Sequence, residues 1–258
     1  MLVSAVLMFA TSSSLMAQFK FGVKASATLN NMFYVDDTMK DIKRIPVFGF
    51  NVGVVGEYFL NDNMSIGAEL VYAQQGFKRE YEYFVDGVWG GEYRYYYSWS
   101  EEQVFRSNHI NLPILFKYYF NGLAVEVGPQ ISFAFGGKYS DKWSQKSNYQ
   151  GSGQGEYHYS LADYEDSLQL RYKIDYGIDD CKLWNRINIG ATLGLSYNME
   201  NGLFFGARYT FDFTNWKNDL VYDYVVYDEH SIPHKVNPRV EKVKSHYGVV
   251  QLSVGYKF

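Results

Sequence analysis

The chain has 258 residues, 19% of them aromatic and 20% charged, with a formal net charge of -4. That size suits one barrel with sizeable loops, and the intermixed charge signs point to no nucleic-acid partner. After residue 17 no apolar run approaches the roughly 20 residues that a membrane helix needs. Cys181 is the only cysteine, so no disulfide can close within the chain and no cysteine stands at the expected cleavage point to carry a lipid.

Residues 1–17 (MLVSAVLMFATSSSLMA) carry no charge and are mostly small or apolar. They read as the C-terminal part of a secretory signal, cleaved after Ala17, with the mature domain running over 18–258. The alternative is a buried apolar strand. From Gln18 onward the hydrophobic period is two, and eight strands are predicted. The first is 19–30, with Phe21, Val23, Ala25, Ala27 and Leu29 opposite Lys20, Gly22, Lys24, Ser26 and Thr28. The second is 47–60 and the third 64–78. The fourth, 107–120, gathers Ile110, Leu112, Ile114, Phe116, Tyr118 and Phe120 on one face. The fifth is 123–137. The sixth, 185–199, sets Ile187, Ile189, Ala191, Leu193, Leu195 and Tyr197 against Asn188, Gly190, Thr192, Gly194, Ser196 and Asn198. The seventh is 202–213 and the eighth 246–258.

The connections alternate in length. Asn61-Asp62-Asn63, Asn121-Gly122 and Glu200-Asn201-Gly202 read as hairpin turns, because these residues tolerate positive φ. Between them lie predicted loops at 31–46, 79–106, 138–184 and 214–245. Short turns at one rim and long loops at the other describe an all-β, eight-stranded antiparallel up-and-down transmembrane β-barrel, turns periplasmic and loops extracellular. Pairing the first strand with the eighth removes the open edge. The rival is a soluble barrel, apolar inside, that encloses a small ligand. Charge positions decide. Lys20, Lys24, Glu57, Glu69, Lys117, Glu126, Arg208, Asp212 and Lys257 all fall on the small, polar face, and a cation on a lipid face costs roughly 2–4 kcal/mol at the midplane. Lipid outside and a charge network in the lumen is the expectation.

Several segments resemble the PorT-like family of bacterial outer-membrane β-barrel domains. They are FKFGVKASATLNNM (19–32), INLPILFKYYFNGLAVEVGPQISFAFGG (110–137), INIGATLGLSYNMENGLFFGARYTFDFTN (187–215) and the last strand. The resemblance implies an outer-membrane location and an eight-stranded barrel, and it brings no catalytic residues. Some members serve a protein-secretion system; no residue here marks that branch.

An eight-stranded interior is just filled by side chains. The inward charges therefore read as an ion-pair plug, with a narrow gated solute path as the alternative. Pro113 and Pro129 cannot donate to a ladder and are expected to mark bulges. In the second loop, Trp89, Tyr93, Tyr95, Tyr96, Tyr97 and Trp99 form a candidate binding surface for an extracellular or envelope protein or a glycan. The competing reading is a ribbon continuing strands three and four. The histidines are His109, His158, His230, His234 and His246. His230 and His234 have helical metal spacing, but Pro233 lies between them. Ser231 near His234 lacks an acid partner, and the pairs Asp36-Asp37 and Asp179-Asp180 read as solvated. No enzyme, metal or cofactor is expected. The expected contacts are outer-membrane lipid and, through the last strand ending in Phe258, the barrel-assembly machinery.

Overall fold

A computed structural model describes residues 18–34, 43–89, 93–148, 152–160, 162–164, 185–215, 220–222, 225–227, 233–235, 239–241 and 245–258. Eight antiparallel strands close into a ring. They are β1 (Phe19–Tyr34), β2 (Val47–Asn61), β3 (Met64–Trp89), β4 (Tyr93–Phe120), β5 (Leu123–Ser147), β6 (Ile187–Asn198), β7 (Leu203–Asp212) and β8 (Ser245–Lys257). Each pairs with its neighbours in sequence, and β1 pairs with β8 from Gly22↔Lys257 to Tyr34↔Ser245. Closure leaves the ring without an edge, as hydrocarbon requires.

The turns form where their residues relieve backbone strain. Asn121 and Gly122 both take positive φ, 48° and 85°, the pair of signs a two-residue turn needs to follow strand twist. Gly202 sits at φ 90°. At the first turn Asn61 Oδ1 accepts the Asn63 amide at 2.9 Å.

Exposure alternates with the apolar period in the inverted sense. Leu252 is 63% and Leu193 60% exposed, whereas Glu57 and Glu126 are each 1% exposed. Along β4 the outward apolar run from Ile110 to Phe120 spans ten residue steps, about 34 Å of strand at about 3.4 Å each. Tilted by the usual 35–45°, that is about 25 Å of apolar wall, the height of a barrel's lipid-facing band.

Three features differ from the sequence-based expectation. First, 79–89 and 93–106 are strand and not loop, in agreement with the competing ribbon reading: β3 and β4 pair from Met64↔Tyr118 to Trp89↔Tyr93. Likewise β5 runs to Ser147 and is flanked by the strand Gly153–Ser160. The predicted loop 31–46 gives Tyr34 to β1 and a short strand, Lys43–Ile45, that pairs with β3 at Lys78–Glu80. The predicted loop 214–245 contains two short ladders, Leu220–Tyr222 with Arg239–Glu241 and Val225–Tyr227 with Pro233–Lys235. Second, register does not shift at Pro113 or Pro129. The shift in the β4–β5 ladder comes at Asn108/His109, where Phe135 is the extra residue. Each proline only interrupts pairing locally, because it has no N–H to give. Third, Lys20 has the inward parity but is exposed, near the turn rim, with its ammonium 5.0 Å from the Phe59 ring. It is too close to the end of β1 to reach the buried charges.

Residues 1–17, the predicted signal, lie outside the described residues, as do Asp36, Asp37, Asp179, Asp180, Cys181, His230 and Ser231.

Candidate functional site

The lumen is filled at three levels. Nearest the turns, Glu57 forms ion pairs with Lys257 at 2.6 Å and Lys117 at 3.5 Å, with the hydroxyls of Ser65 and Tyr119 donating to its other oxygen. Lys117 bridges on to Glu126 at 3.4 Å. Glu126 accepts Arg208 Nε at 2.6 Å and the Ser196 hydroxyl at 2.7 Å. Arg208 then grips Glu69 with both terminal nitrogens, at 2.9 and 2.8 Å, and Lys24 donates to the same carboxylate. Seven of the nine predicted lumen charges thus form one connected chain, one from each strand except β6. A buried ion is tolerable only when paired in this way. Lys20 stands outside the chain at the rim. Asp212 also stands apart: it is buried and inward, but no cation among the described residues lies in ion-pair range, and its Oδ2 has no hydrogen-bond partner.

Above the charges comes a layer of neutral polar groups. Asn51 donates to Gln251 at 2.9 Å, Gln251 donates to Ser26 and Ser253, and the Thr192 and Thr210 hydroxyls meet at 2.8 Å. Ser107 Oγ and His109 Nε2 are 2.7 Å apart in the same interior, but His109 Nδ1 has no partner. This buried Ser–His contact therefore lacks the acid that orients a catalytic base.

The third level was not legible in the sequence. Met32, Phe77, Phe105, Tyr139 and Tyr247 form a buried cluster, with Tyr164 packed against it. The five core members come from inward positions on β1, β3, β4, β5 and β8. Phe77 and Phe105 stack at 4.6 Å, and Tyr139 and Tyr164 at 4.0 Å. An aromatic lid therefore closes the lumen at the end away from the turns.

At this lid the two faces of the sheet exchange character. Below it the outer face is apolar and the inner face polar. Above it, on the shared hairpin sheet of β3, β4, β5 and Gly153–Ser160, the outer face carries Lys78, Glu80, Glu82, Glu102, Lys142 and Glu156. Ion pairs join Lys43 to Glu80 at 3.0 Å, Lys78 to Glu102 at 2.7 Å and Lys142 to Glu156 at 3.2 Å. The Glu102 carboxylate beside Lys78 raises the lysine's pKa, and Lys43 and Lys78 lower that of Glu80. The inner face becomes aromatic. Trp99 and Trp143 stack with ring centroids 5.3 Å apart and planes within 5°. Trp99 Nε1 donates to Glu101 at 3.2 Å, and Tyr139 donates to Asp141 at 2.8 Å. Glycines make room for two of these rings: a Cβ on Gly155 would lie 2.6 Å from Trp143 Nε1, and one on Gly87 2.6 Å from the Tyr95 hydroxyl.

The predicted aromatic surface is split by this arrangement. Tyr95, Tyr97 and Trp99 share the inner face, whereas Tyr96 points to the other side. Trp89 and Tyr93 are register partners at the tip, and their side chains lie outside what the structure describes. Trp143, on the neighbouring strand, belongs with Trp99 and was not singled out from the sequence. Among the described residues no group of three or more His, Cys, Asp or Glu is placed to hold a metal.

Comparison with known proteins gives a family. The family model described as "Outer membrane protein beta-barrel domain" matches residues 9–218. Among solved structures, the chain is similar to Neisserial surface protein A (TM-score 0.36, 11% identity, covering 92% of this chain and 97% of that one). It is also similar to Ail, the attachment invasion locus protein of Yersinia pestis (0.34, 11%, 93% and 99%), and to outer membrane protein W of E. coli (0.34, 15%, 93% and 97%). No curated protein matches the sequence.

Proposed function

Because the chain belongs to the outer membrane protein β-barrel domain family and resides in the bacterial outer membrane, we propose that it is a closed, non-catalytic barrel that binds partners at the cell surface through its extracellular sheet. One observation carries this reading: β3, β4 and β5 continue past the lipid-facing wall as one hydrogen-bonded sheet whose faces exchange polarity. From Lys78 to Trp89 there are 12 residues of β3, about 40 Å of strand. Its inner face offers rigid aromatic area beside carboxylate and amide groups, the composition of a protein- or glycan-binding surface. A loop kept only to join two strands needs two to five residues.

A conducting pore is the weaker reading, because ion pairs, amides and an aromatic lid fill the lumen in succession. Catalysis is weaker still: the interior Ser–His contact is shielded and has no acid. The PorT-like resemblance and any place in an envelope or secretion assembly belong to this same proposal, and rest on the strand residues alone.

The test replaces residues 80–102 by an Asn-Gly turn. Arg79 and Gln103 are register partners, so the ladder can close there. The shortened protein should still show heat-modifiable gel migration, while affinity capture from cross-linked outer membranes should lose the partners held by the full chain. Capture of the same partners by both forms would remove the hairpin from the binding element.

A further inference from the structure

We propose that Arg106 and Lys138 form a binding site for the phosphate-bearing headgroup of an outer-leaflet lipid. The two residues are direct register partners on β4 and β5, both exposed. Both project outward, Arg106 on the face that carries Ile110 and Leu112. Opposed residues on paired strands bring their Cβ atoms to about 5 Å, and like charges there repel. Among the described residues, no carboxylate lies within ion-pair range of either. The outward charges nearer the tip behave differently: Lys78 and Lys142 are matched by Glu80, Glu102 and Glu156. An anion seated between Arg106 and Lys138 would turn their repulsion into attraction.

Height along the wall fixes what that anion is. Two outward positions below Arg106 along β4 is Ile110, whose register partner Tyr72 donates from its hydroxyl to Asn108 at 2.9 Å. Tyr72 also lies 6.2 Å from Phe135, in an aromatic belt of the kind found at a membrane–water boundary. Each outward step is about 7 Å of strand, so the cations stand one to two steps above the belt, at headgroup depth. The opposite rim lacks them. Its outward positions include Phe19, Tyr58, Phe120, Tyr197 and Tyr256, and Lys20 and Lys257 have inward parity.

The guanidinium is also held in place. Arg106 faces Gly76 across the ladder, and with no side chain there it reaches over β3. Its Nη1 donates to the Phe48 carbonyl at 3.1 Å and to Gln74 Oε1 at 3.4 Å. The remaining guanidinium N–H groups stay available, and such a fork matches two oxygens of a phosphate.

The test reconstitutes the full chain in phosphatidylcholine vesicles and measures its preference for spin-labelled phosphatidic acid over spin-labelled phosphatidylcholine by electron spin resonance. Each cation near an anionic surface gives roughly a fivefold preference, so the double variant R106Q/K138Q should lose about 30-fold at this site. K138Q alone should lose about fivefold, and K146Q, on the same face but far toward the tip, should lose nothing. Gel migration before and after heating establishes that each variant is folded. An unchanged preference in R106Q/K138Q, or an equal loss in K146Q, overturns the proposal. So does full displacement of the lipid by inorganic phosphate, which would assign the pair to a free anion.

Discussion

Arg208→Met tests the interior charge chain most directly. The substitution keeps an unbranched apolar stem and removes the guanidinium with its three charge-assisted donors, two to Glu69 at 2.9 and 2.8 Å and one to Glu126 at 2.6 Å. Removing one partner of a buried pair costs about 3–5 kcal/mol, mostly because an uncompensated charge is left behind. Here neither carboxylate is left alone: Glu69 keeps Lys24, and Glu126 keeps Lys117 at 3.4 Å and Ser196 at 2.7 Å. The expected loss is therefore at the lower end, about 3 kcal/mol. Glu126→Gln should cost less, because Arg208 retains its two-point grip on Glu69. In the double variant the losses should fall short of their sum by about 1 kcal/mol or more, the coupling of groups in contact. Urea unfolding in lipid vesicles, followed by tryptophan fluorescence, measures all three. If Arg208→Met lies within 1 kcal/mol of the parent, or if the losses simply add, the seven side chains do not act as one network.

Leu252→Arg probes the wall. Leu252 is 63% exposed and pairs with Ala27 and Ala207 at mid-barrel, so in a bilayer the change should cost about 2–4 kcal/mol. A cost near zero in the same urea assay would mean that water bathes that face. Gly128→Ala tests close backbone approach, since its Cβ would collide with the Ile114 carbonyl oxygen. A loss of about 1–3 kcal/mol is expected, and an unchanged unfolding midpoint would refute it. Gly155→Ala should displace Trp143 and weaken the exciton signal of the Trp99–Trp143 stack in near-UV circular dichroism, with little effect on barrel unfolding. The Glu80 pairs predict a pH effect on the extracellular sheet. Its folded pKa is lowered, so the stabilisation is present above the ordinary Glu value of about 4.3 and fades as pH falls through the lowered one. Amide exchange near Lys43–Ile45 should quicken only on that acid side, and Glu80→Gln should abolish the difference.

The barrel was legible because lipid imposes a strict rule on each outward side chain. Nine charges avoided the apolar parity, and Asn121-Gly122 announced its turn. The partners of those charges were not legible, because Glu69 meets Arg208 only through strand register and ring closure. Nor did parity reveal depth: Lys20 shares it with Lys24, yet sits too near the end of its strand. Beyond the lid the rule itself reverses. Phe77 and Phe105 occupy the parity that carries polar groups lower down, so a search for one constant apolar face ends there and reports a loop. The reversal is itself the signal that was available, with Phe77, Tyr81 and Tyr83 at odd positions, interrupted by Arg79, and Lys78, Glu80 and Glu82 at even ones.

The unbroken 28-residue run of β4 has a mechanical consequence. A tether gripping the hairpin tip and pulled along the strand axis would strain the flanking ladders in shear, many interstrand hydrogen bonds at once, instead of peeling them apart singly. With no hinge between tip and wall, tension at the cell exterior passes straight into the ring that anchors it.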